Sequence, residues 1–261
     1  MLAPQRQTLI LQEVSRTGAA RISDLALALD VSEMTVRRDI DALAEAGQIE
    51  KVHGGAVAIF EASNISEPPF KATSMREQAA KDAIAATAAE LVKPGASIAL
   101  MGGSTVFAMA KYISHIPRIT VVTNSLPVSD YLHREGNQDQ VVILTGGMRT
   151  PTDSFVGEFT IAALQRLNLD LAFIGTHGVD IQGGFSSPNL YEAETNRSVR
   201  QRAKKFVVLA DHTKFGKVGF STFAQLNETD LLITDSAIDP KAMATLREHV
   251  KTIEVVESSL K

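Results

Sequence analysis

The chain has 261 residues, of which 44% are hydrophobic and 21% charged, a composition typical of a globular protein with one large core and room for a smaller module. Its formal net charge of -4 excludes binding to nucleic acid by overall charge alone, and the lack of cysteine excludes disulfides and thiolate metal sites. No apolar stretch reaches membrane-spanning length and the first residues lack a signal-peptide pattern. We therefore expect a cytoplasmic protein, without metal or cofactor.

The first sixty residues carry three short helical patterns and a hairpin. The first helix is predicted to end near Gly18, and a shorter second helix follows it. Ser32 is a good N-cap for a third helix, whose core-facing stripe is formed by Val36, Ile40 and Leu43 at i, i+4 and i+7. Two short strands around His53-Gly54-Gly55 then predict a hairpin, which completes the pattern of a winged helix-turn-helix.

A winged helix places its third helix in the major groove of DNA and its wing against the backbone or the minor groove. The side chains expected to contact DNA are Ser32, Thr35, Arg37, Arg38, Lys51, His53 and Gly54. Residues 1–60 hold six Arg or Lys against eight Asp or Glu, which counts against DNA binding and leaves an ordinary solvated helix face as the alternative. The adjacent arginines and the basic wing favour DNA, because the local potential at the docking face matters more than the sum.

Paired prolines in a polar, aperiodic stretch at residues 61–70 indicate a domain boundary. We expect a DNA-binding domain over residues 1–60, a linker over 61–72 and a second domain over 73–261, opening with an alanine-rich helix from Lys71 to Val92. Apolar runs then alternate with helical patterns; the runs lie at 97–101, 119–123, 141–145, 170–175, 205–210, 231–234 and 252–256. This alternation predicts an α/β domain with a mainly parallel sheet covered on both faces.

Ligands of such sheets bind beyond the carboxyl ends of the strands, where this chain places glycines, hydroxyls, an amide, a carboxylate and a lysine. The first strand ends in Gly102, Gly103, Ser104 and Thr105. The glycines permit a tight turn and the hydroxyls can cap the next helix, whose N-terminal N–H groups then favour a phosphate. The other candidates at strand ends are Asn124, Gly147, Thr176, His177, Asp211 and Lys214.

Each candidate also has a simpler explanation: a tight turn, a helix cap, a structural histidine or a solvated lysine. Their convergence on one edge of one sheet favours a site for a small phosphorylated polyol. The glycine spacing is neither G-x-G-x-x-G nor a Walker loop, so a nucleotide or CoA-binding module is the weakest interpretation.

Residues 5–57 closely resemble the N-terminal domain of the DeoR family of bacterial transcription regulators, through the runs V-S-E-M-T-V-R-R-D-I-D-A-L-A-E-A-G-Q-I at 31–49 and V-H-G-G-A at 52–56. The resemblance implies that the first run lies on the recognition helix and the second in the wing. Two positions depart from the family pattern. Ile40 replaces the usual Leu without consequence, and Lys51 stands where Arg is common, which favours a phosphate contact over a base contact.

The resemblance continues to about Asp235, through L-x-G-G-S-T, V-V-T-N-S, L-T-G-G, F-I-G-x-x-G, the E-A-E that contains Glu192, and L-A-D-H-T-K-F-G. These runs match the family's effector domain, which is similar in fold to ribose-5-phosphate isomerase and CoA transferases and typically responds to phosphorylated sugars. The resemblance implies a phosphate held by residues 102–105, with Asn124, Asp211 and Lys214 near the sugar. Met101, where the family usually has Asp, and His177, where many members have Asp or Asn, depart from the pattern and put the choice of ligand in doubt.

An isomerase is the alternative function, since an aldose–ketose interconversion needs a carboxylate base and electrophilic help at the carbonyl. Asp180, Glu192 or Glu194 are candidates for the base and Lys214 for the electrophile. An isomerase has no need of a helix-turn-helix, however. We therefore predict a non-enzymatic repressor of a carbohydrate-catabolism operon, a homo-oligomer (dimer or tetramer) that a phosphorylated sugar releases from operator DNA.

Overall fold

The computed structural model describes residues 2–59 and 69–258. Contacts divide the chain into two compact units, the first comprising residues 1–63 and 68–78 and the second residues 64–67 and 79–261. Each unit has a hydrophobic core of its own.

The first unit is a winged helix, as predicted. Its elements are α1 (Ala3–Thr17), β1 (Ala19–Arg21), α2 (Ile22–Leu29), α3 (Glu33–Glu45), β2 (Glu50–Val52), β3 (Gly55–Val57) and α4 (Phe70–Met75). Gly18 and Asp30, both with left-handed backbone conformations, end α1 and α2. The strands form an antiparallel sheet in the order β1-β3-β2, of which β1 was not predicted. The core is built from α1, α2 and α3, with Ala20 of β1 and Ala56 of β3, and includes Ile10, Val36 and Ile40.

The region after the wing differs from the prediction. Instead of one helix from Lys71 to Val92, the chain forms α4 and then α5 (Gln78–Ala89), because Glu77 adopts a left-handed conformation with φ of 48° and interrupts the helix. Ala72 and Met75 of α4 are buried in a small cluster with β1 and β3, which is why the first unit extends to Gln78 rather than to residue 60. Most of the linker predicted at 61–72 lies outside the described residues.

The second unit contains twelve strands within the described residues. They are β4 (Ser97–Leu100), β5 (Thr120–Thr123), β6 (Val141–Leu144), β7 (Met148–Arg149), β8 (Phe155–Val156), β9 (Leu169–Gly175), β10 (Gly178–Asp180), β11 (Gly184–Ser187), β12 (Ala203–Leu209), β13 (Ser221–Ala224), β14 (Leu231–Asp235) and β15 (Ile253–Val256). The seven strands predicted from apolar runs form one sheet in the order β15-β14-β12-β9-β4-β5-β6, in which every pair is parallel.

Helices cover both faces of this sheet. They are α5, α6 (Ser104–Ile113), α7 (Leu126–Glu135), α8 (Glu158–Leu164), α9 (Leu190–Arg200) and α10 (Pro240–His249). Residues that alternate along a strand enter different cores, since Leu100 packs with α5, α6 and α7 whereas Ala99 packs with α8, α9 and α10. The doubly covered α/β class is therefore confirmed.

Two small β structures were not predicted: the antiparallel sheet β10-β11-β13 and the hairpin of β7 and β8. Their strands are two to four residues long and none has more than two apolar residues in a row, so periodicity gives no signal for them. In the chain, β7 and β8 follow β6, β10 and β11 follow β9, and β13 follows β12, all of which are strands of the main sheet.

Candidate DNA interface and ligand site

The third helix of the first unit, α3, is held by a cap and a core stripe, as predicted. The Ser32 side chain accepts a hydrogen bond from the Thr35 backbone N–H at 3.2 Å, which fixes the first turn. Because Val36 and Ile40 are fully buried, Arg37 and Arg38 lie on the solvent side of the helix. The structure thus exposes the two arginines that we expect to contact DNA.

The aspartate of the R-R-D run has a structural role that the sequence did not reveal. Asp39 is 4% exposed and accepts hydrogen bonds from Arg6 of α1, with 2.5 Å to Nε and 3.1 Å to one terminal nitrogen. Arg6 is itself 9% exposed. This buried two-point ion pair fastens α1 to α3, so the orientation of the recognition helix depends on a residue 33 positions earlier in the chain.

Two of the predicted DNA contacts already have carboxylate partners. Lys51 Nζ lies 2.5 Å from Asp41 Oδ1, and an Arg37 terminal nitrogen lies 3.5 Å from Glu33 Oε2. All four side chains are largely exposed, so each pair contributes only about 0.2–1 kcal/mol and a phosphate oxygen can replace the carboxylate. Arg38 makes no ion pair with any residue in the described part of the chain.

A cleft of about 290 Å³ lies between α3 and the wing within the first unit. Its lining brings together three of the predicted DNA contacts, Arg37, His53 and Gly54, and adds Arg21. Arg21 ends β1 and precedes α2, and the sequence prediction missed it because β1 was not recognised. The cleft therefore has three basic side chains and one acidic one, Glu33, on its walls.

The wing's two glycines have different surroundings. Gly54 makes the turn with φ of 80° and has open space around it. A Cβ on Gly55 would lie 2.3 Å from the Ala20 carbonyl oxygen and 2.4 Å from the Met75 side chain, so β3 packs against β1 and α4 without room for a side chain.

In the second unit, the strand-end residues lie at one edge because all seven strands are parallel. Gly103, rather than Ser104, is the N-cap of α6, and Ser104 is its first helical residue, so the predicted cap was wrong. Thr105 is buried and Ser104 half-buried in the same turn. The first-turn N–H groups of a helix have no partner within the helix, which leaves this turn suited to an anion.

The Asn124 side chain is hydrogen-bonded to the glycine loop and is therefore not free to bind a ligand. Its Oδ1 accepts from the Gly102 N–H at 2.8 Å and its Nδ2 donates to the Phe155 carbonyl at 2.8 Å. A Cβ on Gly102 would lie 2.1 Å from Ser154 Oγ, so this position has space for glycine alone. Ser154 itself is fully buried, and its Oγ has no hydrogen-bond partner among the described residues.

Asp211, which follows β12, is the buried carboxylate of the site at 1% exposure. Its Oδ1 accepts from the N–H and the hydroxyl of Thr213, whereas its Oδ2 has no hydrogen-bond partner in the described part of the chain. Burial acts to raise the pKa of Asp211, but Lys214, Lys81 and the Thr213 hydrogen bonds outweigh it and hold that pKa below its usual range. The carboxylate is therefore ionised at neutral pH.

Lys81 of α5 is a site residue that the sequence prediction missed. It is only 4% exposed, yet its charge acts on Asp211, which lies 130 positions later in the chain. A signal was present: Lys81 occupies the apolar stripe of α5 with Ile84, Ala85 and Ala88, at i, i+3, i+4 and i+7. A lysine on the buried face of a helix needs a charged partner.

Thr176 and His177, which follow β9, lie in the same region. The Thr176 hydroxyl donates to the Gly178 carbonyl at 2.8 Å. Burial, with added repulsion from Lys214 and Lys217, lowers the pKa of His177 to about 4, so its imidazole is neutral at physiological pH. His177 is therefore a hydrogen-bonding group rather than a cation here.

The last two predicted residues are placed by packing and by hydrogen bonds. Gly147 sits against α8, where a Cβ would lie 2.3 Å from Thr160 Oγ1. Glu192 accepts from Ser187 Oγ at 2.8 Å and from Thr152 Oγ1 at 3.4 Å. Since Thr152 and Ser154 belong to the β7–β8 hairpin, this hairpin connects Glu192 to the Gly102 loop.

A winged helix whose third helix exposes two adjacent arginines, followed by a parallel α/β unit with polar strand ends, defines a class of two-domain DNA-binding regulators. Residues 6–62 match the DeoR-like helix-turn-helix domain family and residues 76–236 match the DeoR C terminal sensor domain family. The chain belongs to the DeoR family of transcriptional regulators.

Relatives along the whole chain agree with this assignment. The chain is 34% identical to the HTH-type transcriptional regulator GolR of Listeria innocua serovar 6a over 97% of this chain and 98% of that protein. It is 32% identical to the lactose phosphotransferase system repressor of Staphylococcus aureus over 92% of this chain and 95% of that protein. These matches confirm the predicted family and the predicted regulator, and they favour it over the isomerase.

Among solved structures, the chain is similar to ribose 5 phosphate isomerase A from Neisseria gonorrhoeae, with 19% identity and a TM-score of 0.37 over 52% of each chain. Within residues 2–59 and 69–258, no helix is long and apolar enough to cross a bilayer. The same residues contain no group of three or more His, Asp or Glu placed to hold a metal ion.

Proposed function

We propose that the protein is a cytoplasmic repressor of a carbohydrate-catabolism operon, a homo-oligomer that a phosphorylated sugar releases from its operator. The observation that carries this proposal is that two buried polar atoms near the carboxyl edge of the sheet, Ser154 Oγ and Asp211 Oδ2, have no hydrogen-bond partner among the described residues. Buried polar atoms without a partner cost free energy, so a polar ligand that satisfies them has a reason to bind.

The chemistry of the edge fits a sugar phosphate. The first turn of α6, with Gly103, Ser104 and Thr105, offers N–H and hydroxyl donors to a phosphate. The ionised Asp211 accepts from sugar hydroxyls, and Lys214 supplies a cation beside it. Strands β4 and β12 are separated by β9, so their ends are about 10 Å apart, a span that a five- or six-carbon sugar phosphate can bridge.

Release from DNA requires the ligand to bind the free and operator-bound states with different affinity. The relative from Staphylococcus aureus is named the lactose phosphotransferase system repressor, and this name supports repression and a carbohydrate ligand. We therefore expect sugar phosphate to weaken operator binding, with Ser32, Thr35, Arg37, Arg38, Arg21 and the wing residues Lys51, His53 and Gly54 on the DNA side.

The ligand is tested by thermal shift of the full chain with triose, pentose and hexose phosphates, the same sugars without phosphate, and inorganic phosphate. A sugar phosphate at 100 times its dissociation constant should stabilise the protein by about 2.7 kcal/mol. Lys214→Met should lose this shift, whereas Lys241→Met, an exposed lysine on α10, should keep it. A shift with inorganic phosphate alone, or none with any sugar phosphate, contradicts the proposal.

Operator binding is tested by fluorescence anisotropy on a sequence selected from random DNA with the full chain. Arg38→Ala should weaken binding by roughly 1 to 3 kcal/mol if the side chain reads a base, and Arg134→Ala, an exposed arginine of α7, should leave it unchanged. Adding the sugar phosphate found by thermal shift should release the wild-type protein. Tighter DNA binding on its addition, or isomerisation of the sugar, would reverse the proposal.

A further inference from the structure

Strand β6 forms one end of the seven-stranded sheet, and no strand in the described ranges pairs with its outer edge. Its sequence, Val-Val-Ile-Leu, contains no polar side chain. Three of its residues are more than a third exposed, with Val141 at 53% and Ile143 at 40%. An apolar edge strand with open backbone groups is a template for pairing with another strand.

The face of the sheet beside this edge is also uncovered. Val121 and Val142 are neighbours in the register and both pack in the core with α5, α6 and α7. Val122 and Ile143 are neighbours on the opposite face, where Val122 is buried but Ile143 is not. The side chains of Val141 and Ile143 therefore remain open on the side away from α7.

Two more exposed apolar residues extend this region. Met148 follows four residues after β6 and is 53% exposed, and Phe159 of α8 is 82% exposed. Phe159 precedes Thr160, whose hydroxyl donates to the Gly146 carbonyl at 2.6 Å, so this end of α8 lies next to the loop after β6. We call Val141, Ile143, Leu144, Met148 and Phe159 the β6 surface. Apolar patches of this kind indicate contact with another protein.

The other open strand edges in the described residues are unsuitable partners for this surface. The edge strands β15, β10, β2, β1 and β7 each carry a charged residue, respectively Glu254, Asp180, Glu50 with Lys51, Arg21 and Arg149. Strands β8 and β13 are uncharged but largely buried. Pairing β6 with a charged strand would bury that charge and cost free energy. The strand that is both uncharged and exposed is β6 itself, so the matching partner is β6 of a second copy.

Symmetry supports the same partner. Antiparallel pairing of a strand with its own copy is an isologous contact around a two-fold axis. Winged helices that read two half-sites need the same symmetry. We propose that two copies of this chain associate by antiparallel pairing of their β6 strands, which joins two seven-stranded sheets into one of fourteen strands and buries the β6 surface. This assignment rests on the proposed homo-oligomer and names its interface.

The lack of cysteine makes a direct test possible. Single cysteines are introduced at each position from 141 to 144 in the full chain, and Val255→Cys on the opposite edge is the control, matched to Ile143→Cys at 40% exposure. In an antiparallel self-pair, a residue on or next to the axis lies about 4.5 to 5.5 Å from its copy, within reach of a disulfide. Mild oxidation should give a dimer band for at least one β6 variant and none for Val255→Cys.

Mass measurement by light scattering provides the second readout. Val141→Lys should halve the mass of the dimeric unit while the far-ultraviolet circular dichroism stays native, and Val255→Lys should leave the mass unchanged. If Val141→Lys fails to fold, the cysteine scan decides. A monomeric wild-type chain overturns both the oligomer and its interface. An oligomer that cross-links at none of the four β6 positions overturns the interface alone, and the sugar phosphate thermal shift is read independently of both.

Discussion

Asp39 in the first unit and Asp211 in the second are both buried, and the two differ in how completely their oxygens are satisfied. In the first unit both oxygens of Asp39 are engaged by Arg6. In the second, Asp211 has one oxygen bonded to Thr213 and the other without a partner among the described residues. A buried carboxylate with a complete set of partners holds the fold together, whereas one left incomplete at a sheet edge indicates a binding site.

The largest effect should come from breaking the complete pair. Asp39→Ala leaves the Arg6 guanidinium buried without its carboxylate and should destabilise the first unit by about 3–5 kcal/mol. Urea unfolding of the full chain followed by circular dichroism measures it. The double variant Arg6→Met with Asp39→Leu should recover most of the loss. If Asp39→Ala unfolds like the wild type, the pair does not hold α1 to α3.

Asp211→Asn should have a smaller effect on the ligand-free protein. It removes the charge that faces Lys81 and Lys214, which should cost about 2–3 kcal/mol, and it should lower sugar phosphate affinity at least tenfold, or about 1.4 kcal/mol. Because the pKa of Asp211 is lowered by folding, its stabilisation is present above the unfolded pKa of about 3.9 and is lost as pH falls through the folded value. If Asp211→Asn is as stable as the wild type and binds sugar phosphate equally well, Asp211 is not a ligand-binding carboxylate and the contrast with Asp39 is wrong.

His177 extends the comparison to a half-buried group beside charges of its own sign. Its folded pKa of about 4 lies below the unfolded value of 6.5, so the unfolded chain binds the proton first as pH falls. After allowance for solvent screening, stability should therefore decrease by about 2 kcal/mol from pH 6.5 to pH 4 on account of this residue. His177→Gln should reduce that slope, and His133→Gln, an exposed residue of α7, should leave it. Thermal melts across this range measure the difference.

Asp170 gives the smallest effect because its pair is half exposed. Hydrogen bonds from Lys204 and Ser97 lower the pKa of Asp170 to about 2. After allowance for solvent screening, this should contribute about 1 kcal/mol above pH 4, and the contribution should disappear as pH falls towards 2. Asp170→Asn should show that deficit at pH 7, and most of the deficit should be gone at pH 2, in urea unfolding. If Asp170→Asn loses more stability than Asp39→Ala, the claim that the buried pair contributes more than the exposed pair is wrong.

The sequence was sufficient to predict the main sheet and the winged helix. Seven apolar runs separated by helical patterns became seven parallel strands, because a strand buried on both faces is marked by a continuous apolar run. The hairpin of β7 and β8 and the strands β10, β11 and β13 carry no such run, and their positions depend on tertiary packing. Likewise, the break at Glu77 depends on a backbone conformation that an alanine-rich helical pattern does not indicate.

The ligand site was predictable where topology brings strand ends together. Gly102, Asp211 and Lys214 follow strands of one parallel sheet, so their common edge follows from the strand pattern alone. Lys81 comes from a helix and Ser154 from the unpredicted hairpin. The strand pattern does not predict that either residue lies near that edge. The Arg6–Asp39 pair was equally hidden, since no periodicity relates residues 33 positions apart.

The two neighbouring glycines of the wing should respond in opposite ways to random mutagenesis. Gly54 sits in open solvent at a left-handed turn, where asparagine or aspartate is tolerated and alters only the tip offered to the double helix. At Gly55 even a methyl group collides with the Ala20 carbonyl and with Met75. Variants at Gly54 would thus change the recognition of DNA. Variants at Gly55 would disrupt the packing of β3 against β1 and α4 and so displace the wing.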